Sequence, residues 1–184
     1  MEQEERRRVL VVTGSDSDLS QCGSGSRILV SAYRDGLIDF VGQKTVSAHA
    51  NHRELCVFAE ELSRDGKLFV VIAGAGWAAH LPGMLDAILA NDLRNSSVHV
   101  IGVGFEDKKN PRHTIAAEYS ISEVPRTRVI YADDEGNFVG PYGFIRACEF
   151  AVRGKLSTLT LPVVRQTQTR SPLELIDFIE GRPS

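Results

Sequence analysis

A buried apolar strand, Leu68 to Ala73, runs without a spacer into Gly74-Ala75-Gly76, and a helical run opens near Ala78 with His80 in its first turn. Strand, tight glycine turn and helix in direct succession form the opening half of a βαβ crossover, the unit from which parallel sheets are built. The junction also brings free backbone N–H groups and the positive end of a helix dipole to one point. That suits an anionic or carbonyl-bearing small ligand. A plain turn in which glycine only relieves strain is the competing reading. His80, set among so many small residues, weighs towards a site.

The chain upstream repeats this grammar. Arg7 to Thr13 holds the unbroken apolar run Val9-Leu10-Val11-Val12, typical of a strand covered on both faces, and ends in Gly14-Ser15-Asp16-Ser17-Asp18. Hydroxyls and carboxylates thus stand where a first parallel strand meets its helix, the rim at which open α/β sheets bind ligands. Ser17 or Asp18 as a simple N-cap is the alternative. The helix that follows is regular over Ser26 to Arg34 and stops at Gly36; a second strand, Ile38 to Val46, delivers Ser47-Ala48-His49 to the same rim. Asn51 and Glu54 then start a helix whose Leu55, Phe58, Ala59 and Leu62 repeat at helical spacing until Gly66. After the third strand, Met84, Leu85, Ile88 and Leu89 turn inward on a helix, and Val98 to Val103 reads as a fourth strand. Strands alternating with helices in this way predict an α/β fold, a three-layer doubly wound parallel sheet.

Beyond Gly104 the regularity fails. Glu106 to His113 reads as a polar, exposed loop or lid, Arg128 to Tyr131 as a short fifth strand, and Asp133-Asp134-Glu135-Gly136 as a turn. Tyr142 to Arg153 is helical, with Phe144, Ala147, Cys148, Ala151 and Val152 on one face and Gly154 as its stop. A last helix carries Ser171 as cap, Pro172 at its first position, Glu174 completing a capping box, then Leu175, Ile176, Ile179 and Gly181. Too short to stand alone, it is expected to dock on its own domain or on a neighbouring subunit. The 184 residues are read as one domain, with a core over 7–154 and a C-terminal extension over 155–184.

The formal net charge of -3 gives no basic excess for nucleic acid, and no apolar run approaches the roughly 20 residues of a membrane helix. Met1 to Arg8 is charged with no apolar signal region behind it, so a cytoplasmic protein without membrane or nucleic-acid partners is expected. Cys22, Cys56 and Cys148 form neither a disulfide framework nor a metal pair.

Three strand ends now carry three polar clusters: GSDSD at Gly14 to Asp18, SAH at Ser47 to His49, and AGAGWAAHLPGM over Ala73 to Met84. In that order and spacing they resemble the class I N5-carboxyaminoimidazole ribonucleotide mutase family of purine biosynthesis. The resemblance is strong over about the first hundred residues and thin afterwards, and the third motif favours the mutases over the related aminoimidazole ribonucleotide carboxylases. It implies a flavodoxin-like sheet, an aminoimidazole ribonucleotide as small-molecule substrate, no cofactor or metal, and a homo-octamer with sites between subunits. Residue by residue it implies that Ser15 and Asp18 bind ribose and phosphate, with Asp16 and Ser17 in support. His49 becomes the general acid and base, and Gly74, Ala75, Gly76 and His80 frame the imidazole and the migrating carboxylate. Gly14, Ser47, Ala48, Trp77 and Leu81 complete the expected substrate contacts.

The side chains fit such chemistry on their own terms. A carboxyl group can pass from an exocyclic nitrogen to a ring carbon through carbon dioxide held in a small pocket, which Ala75, Ala78 and Ala79 suit by their size. One group must then protonate the nitrogen and later deprotonate the carbon, and histidine titrates in the right range for both. For His49 alone, a structural histidine at a strand terminus is the other reading. Two positions depart from the family pattern: Ala50 stands where the family has a phosphate-binding arginine, and Trp77 where it has glycine. Arg53, Lys108, Lys109, Arg112, Arg126 and Arg128 are the candidate replacement cations. Three hypotheses follow: the mutase or a close carboxyl-transferring relative; a carboxylase or decarboxylase acting on a different heterocycle, phosphorylated or not; and a non-catalytic nucleotide or metabolite binder. Phosphate binding of the flavin type fits poorly, because the first loop alternates acids with its hydroxyls.

Overall fold

The computed structural model describes residues 6–181. Its centre is a parallel sheet in the order β2-β1-β3-β4, formed by β1 (Arg8–Thr13), β2 (Asp39–Thr45), β3 (Phe69–Ala75) and β4 (Val98–Gly104). Every residue of β3 and β4 is buried, so their apolar runs show no alternation. Both faces of the sheet are covered. Leu10, Val12, Val71, Ala73 and Val100 pack under α2 (His52–Arg64) and α3 (His80–Ala87), while Val9, Val11, Val70, Ile72, Ile101 and Val103 pack with Leu29 of α1 (Gly23–Arg34). The three-layer doubly wound arrangement is therefore the one expected.

The differences lie at element ends and in the C-terminal half. A 3-10 helix, Asp16–Gln21, precedes α1, which starts at Gly23 rather than Ser26. Ser15, and not Ser17 or Asp18, caps it by accepting a hydrogen bond from the Ser17 N–H at 3.2 Å. Gly36 and Gly66 hold left-handed backbone, with φ of +70° and +66°, just past the ends of α1 and α2, as their stop positions require. Asn51 occupies the N-cap of α2 but makes no capping bond with its side chain. After α3 the chain widens into a π turn, Ile88–Asp92, which keeps Ile88, Leu89 and Ala90 buried.

The supposed loop after β4 gives way to α4 (Pro111–Ser122), capped by Asn110 and opened by Pro111. No full fifth strand forms over Arg128 to Tyr131. Ile130 bridges Ile101 alone, and a small hairpin, β5 (Ala132–Asp133) with β6 (Gly136–Asn137), surrounds the expected turn. On the side of α1, α5 (Gly140–Arg153) buries Phe144, Ala147, Cys148 and Ala151. The last helix, α6 (Pro172–Ile179), has the full capping box yet no buried residue, so it is not packed into the core formed by the described residues. Among the described residues no helix is long and apolar enough to cross a membrane.

Candidate functional site

The register levels the ends of three strands: Thr13 pairs with Thr45 on one side and with Gly74 on the other. The loops that follow β1, β2 and β3 therefore leave the sheet at one height, at the point where the chain reverses its direction of winding about β1. β2 and β3 stand on either side of β1, roughly 10 Å apart at about 4.8 Å per strand spacing. Histidines hung from their ends reach towards each other over the β1 loop. His49 Nε2 and His80 Nδ1 meet at 3.0 Å, with the rings edge to face and 5.0 Å between centroids. Only one of two facing ring nitrogens can carry the hydrogen between them, so one histidine donates and the other accepts. This is a shared-proton pair.

The pair lines a depression of about 250 Å³ with Gly14, Ser15, Ser17, Asp18, Ser47, Ala48, Ala75, Gly76, Trp77, Ala78 and Leu81. That volume lies just under the ordinary range for small-molecule sites. His80 is the first residue of α3, at the N-terminal end of its dipole, and Ser47 Oγ accepts from the Ala50 N–H at 3.1 Å, fixing the turn that presents His49. Ser15 Oγ and Ser17 Oγ sit 2.8 Å apart and form a hydroxyl edge on the β1 loop. Burial pushes the Asp18 carboxyl up to about 6, against the opposing pull of the Ser15 and Gly76 backbone groups that hydrogen-bond to it. The pocket thus sets a carboxyl group that titrates near 6 beside a hydrogen-bonded pair of imidazoles.

Twelve of the fourteen expected site residues line this depression, and Asp16 and Gly74 do not. Asp16 Oδ1 accepts the Thr45 hydroxyl at 2.7 Å, which ties the first loop to β2. Gly74 lies inside β3 rather than in the turn, where a Cβ would come within 2.5 Å of the Phe105 ring; its smallness serves packing beneath the site. Ala79, expected against the carboxyl group, is fully buried behind the lining. None of the six candidate cations lines the depression. Arg128 is committed to a buried ion pair with Asp86 at 2.8 Å, and Lys108 faces Glu106 at 3.7 Å.

One part of the site escaped the sequence reading. The Trp77 indole stacks on the His113 ring of α4, with centroids 4.1 Å apart and planes inclined by 22°. His113 in turn faces Asp107 Oδ2 through Nδ1 at 2.7 Å and Asn110 Nδ2 through Nε2 at 3.0 Å. The Asn110-Pro111 step, a cap followed by proline at the first helical position, was the available signal for the helix that brings His113 here. Among the described residues no group of three or more His, Cys, Asp or Glu side chains is placed to hold a metal ion.

Comparison with known proteins follows the same outline. The family model for AIR carboxylase matches residues 8–130. The N5-carboxyaminoimidazole ribonucleotide mutase of Pyrococcus abyssi is 36% identical over 101 residues, 55% of this chain and 51% of that protein. The mutase of Haemophilus influenzae is 35% identical over 119 residues, 65% of this chain and 63% of that protein. Phosphoribosylaminoimidazole carboxylase of Candida albicans is 35% identical over 116 residues, but only 18% of its length is matched. This chain therefore spans between half and two thirds of the length of these two mutases. The crystal structure of Treponema denticola PurE shares the fold, with a TM-score of 0.55 over 80% of this chain and 87% of that one, at 17% identity. With the sheet, its three levelled loops and the matched span in agreement, the chain belongs to the AIR carboxylase family.

Proposed function

We propose that this protein moves a carboxyl group between the exocyclic nitrogen and a ring carbon of an aminoimidazole ribonucleotide, as an N5-carboxyaminoimidazole ribonucleotide mutase of purine biosynthesis. The observation that supports this most is the His49–His80 contact at the edge of a small pocket walled by Ala75 and Ala78. In the proposed sequence the N-carboxyl bond breaks, carbon dioxide stays in the pocket, and the nitrogen takes a proton from the histidine pair. The electron-rich ring carbon then attacks the carbon dioxide, and the pair recovers a proton from that carbon. Protons and electrons balance with no cofactor or metal. The Ser15 and Ser17 hydroxyls are the groups placed to meet ribose and phosphate, since no lysine or arginine lines the pocket.

The reading extends to a cytoplasmic enzyme whose working unit is residues 7–154 and which self-associates, with an octamer as the expected assembly. Exposed apolar residues on α6, Leu173 and Phe178 among them, support association. Light scattering measures it. The decisive experiment follows the absorbance of carboxyaminoimidazole ribonucleotide as it is consumed. The intact chain is expected to turn it over, and His49→Asn to abolish turnover while remaining folded; an inactive, folded wild type sinks the proposal.

A further inference from the structure

Among the described residues only Trp77, Arg94 and Arg126 hold left-handed backbone without being glycine, and only Trp77 of these lines the pocket. Its φ of +57° is a conformation that a side-chain-bearing residue adopts at a cost, so something must hold it there. The side chain is not buried for packing: Trp77 remains 66% exposed. The indole instead lies on the face of His113.

The orientation of that face is fixed from both sides. Asn110 Oδ1 accepts the Arg112 N–H as the cap of α4, which leaves Nδ2 to donate to His113 Nε2. His113 Nε2 is then an acceptor, and Nδ1 carries the hydrogen that goes to Asp107 Oδ2. Asp107 is anchored in turn: its Oδ1 accepts the Lys109 and Asn110 N–H groups at 2.8 and 3.2 Å, and its own N–H donates to Thr114 Oγ1. The hydrogen bond from His113 and those backbone donors hold the Asp107 carboxyl below its usual range. Every polar atom of the imidazole is occupied, so the ring offers the indole a fixed flat surface.

We propose that Asp107, Asn110 and His113 clamp Trp77 as a rigid aromatic wall of the His49–His80 pocket, and that the planar ring of the substrate stacks against it. His113 is a positioning residue, acting through Trp77; Trp77 sets the preference for a flat, electron-rich ring. Small residues line the rest of that edge: Ala75, Gly76 and Ala78. A π-face gives orientation there without adding a hydrogen-bonding group that would compete for the migrating carboxylate. The identity of the ring rests on the carboxyl-transfer reading; the existence of the wall does not.

Trp77 is the sole tryptophan of the chain, so its emission reports the wall directly. The full chain is titrated with aminoimidazole ribonucleotide, and turnover is measured in parallel with the carboxylated substrate. Binding is expected to change the emission saturably. Trp77→Gly, which also relieves the left-handed backbone, is expected to raise KM at least about fivefold with the smaller effect on kcat, and Trp77→Phe to recover most of the loss. His113→Ala should shift KM the same way, and His113→Phe, which keeps a stacking face, should not. Turnover without an emission change, or a Trp77→Gly variant with unchanged or lower KM, overturns the wall and leaves the carboxyl-transfer reading standing. A saturable emission change without turnover supports the wall and sinks the carboxyl-transfer reading. Neither response defeats both.

Discussion

Asp18 shows how one buried group ties the chemistry of the site to its cost. Its carboxyl is pushed up from 3.8 to about 6, so the folded protein binds that proton more tightly than the unfolded chain does. The stability this contributes is fully present below about pH 4 and is lost as pH rises through about 6. Asp18→Asn should therefore melt higher than wild type at pH 7.5 and together with it at about pH 3. A rise of that size puts a ceiling of about 3 kcal/mol on the effect, and partial exposure reduces the expected gain to about 1–2 kcal/mol. Substrate affinity should fall in the same variant, since the carboxylate lines the pocket. Ala50 allows a second prediction. It sits in the turn beside His49, and Ala50→Arg should lower KM for a phosphorylated substrate about tenfold, the scale of one charge-assisted phosphate contact. The histidines, the hydroxyls of the first loop and Trp77 were all readable as residues, because each follows a strand end that the apolar runs make visible. The partnership of Trp77 with His113 was not, since 36 positions separate them and no periodic pattern links the two.

Elements fared according to how much apolar surface they bury. All four strands were legible to within two residues; β1, β3 and β4 were so because burial leaves unbroken apolar runs, whereas β2 is a largely exposed edge strand, and α2 was legible because Leu55, Phe58, Ala59 and Leu62 fall on one face. α4 buries only Ala117 and Ile121, too little to mark a helix against its polar surroundings. The α1–α5 contact was equally invisible, and it depends on one glycine. A Cβ at Gly25 would come within 2.5 Å of the Phe144 ring and 2.9 Å of Cys148 Sγ, whereas one at Gly23 meets nothing within 4 Å. Gly25→Ala is therefore expected to destabilise by about 1–3 kcal/mol through overpacking, and Gly23→Ala to be neutral or stabilising by about 0.5 kcal/mol. Urea midpoints of the two variants, close neighbours in sequence and opposite in sign, check the packing of that face.

At the scale of the molecule, the tail after α5 is fastened at two places. Ser157 O accepts from His99 Nε2 at 3.0 Å, and Pro162 O accepts from Arg94 Nη1 at 2.8 Å. Removing residues from 165 onward should leave the melting temperature within a few degrees, because α6 buries nothing. Cutting after Gly154 should lower it clearly, because it strips Leu156 from the α1–α5 core and leaves buried His99 without its acceptor. Burial, chiefly, holds His99 below its ordinary 6.5, helped by the nearby Arg128 and Arg7 charges and opposed by the Ser157 bond. The neutral ring is the folded form, so its contribution is complete above about pH 6.5 and is lost on acidification below that. Limited proteolysis should accordingly cut the tail faster at pH 5.5 than at pH 7.5, a difference that His99→Gln abolishes. The capping box of α6 was plain in the sequence; that none of its residues would be buried was not, since a helix names its ends locally and its partner only in three dimensions.

The levelled strand ends also divide the protein into a conserving end and a permissive one. A seven-residue strand is roughly 23 Å long, so the turns that enter β2, β3 and β4 lie a whole sheet-length from the histidine pair. Length can change at the turn around Gly66, where an added Cβ would meet nothing within 4 Å, without disturbing the spacing that the parallel ladder imposes on His49 and His80. That opposite end is where evolution, or an engineer inserting a label or a fused domain, can add chain at no cost to the chemistry.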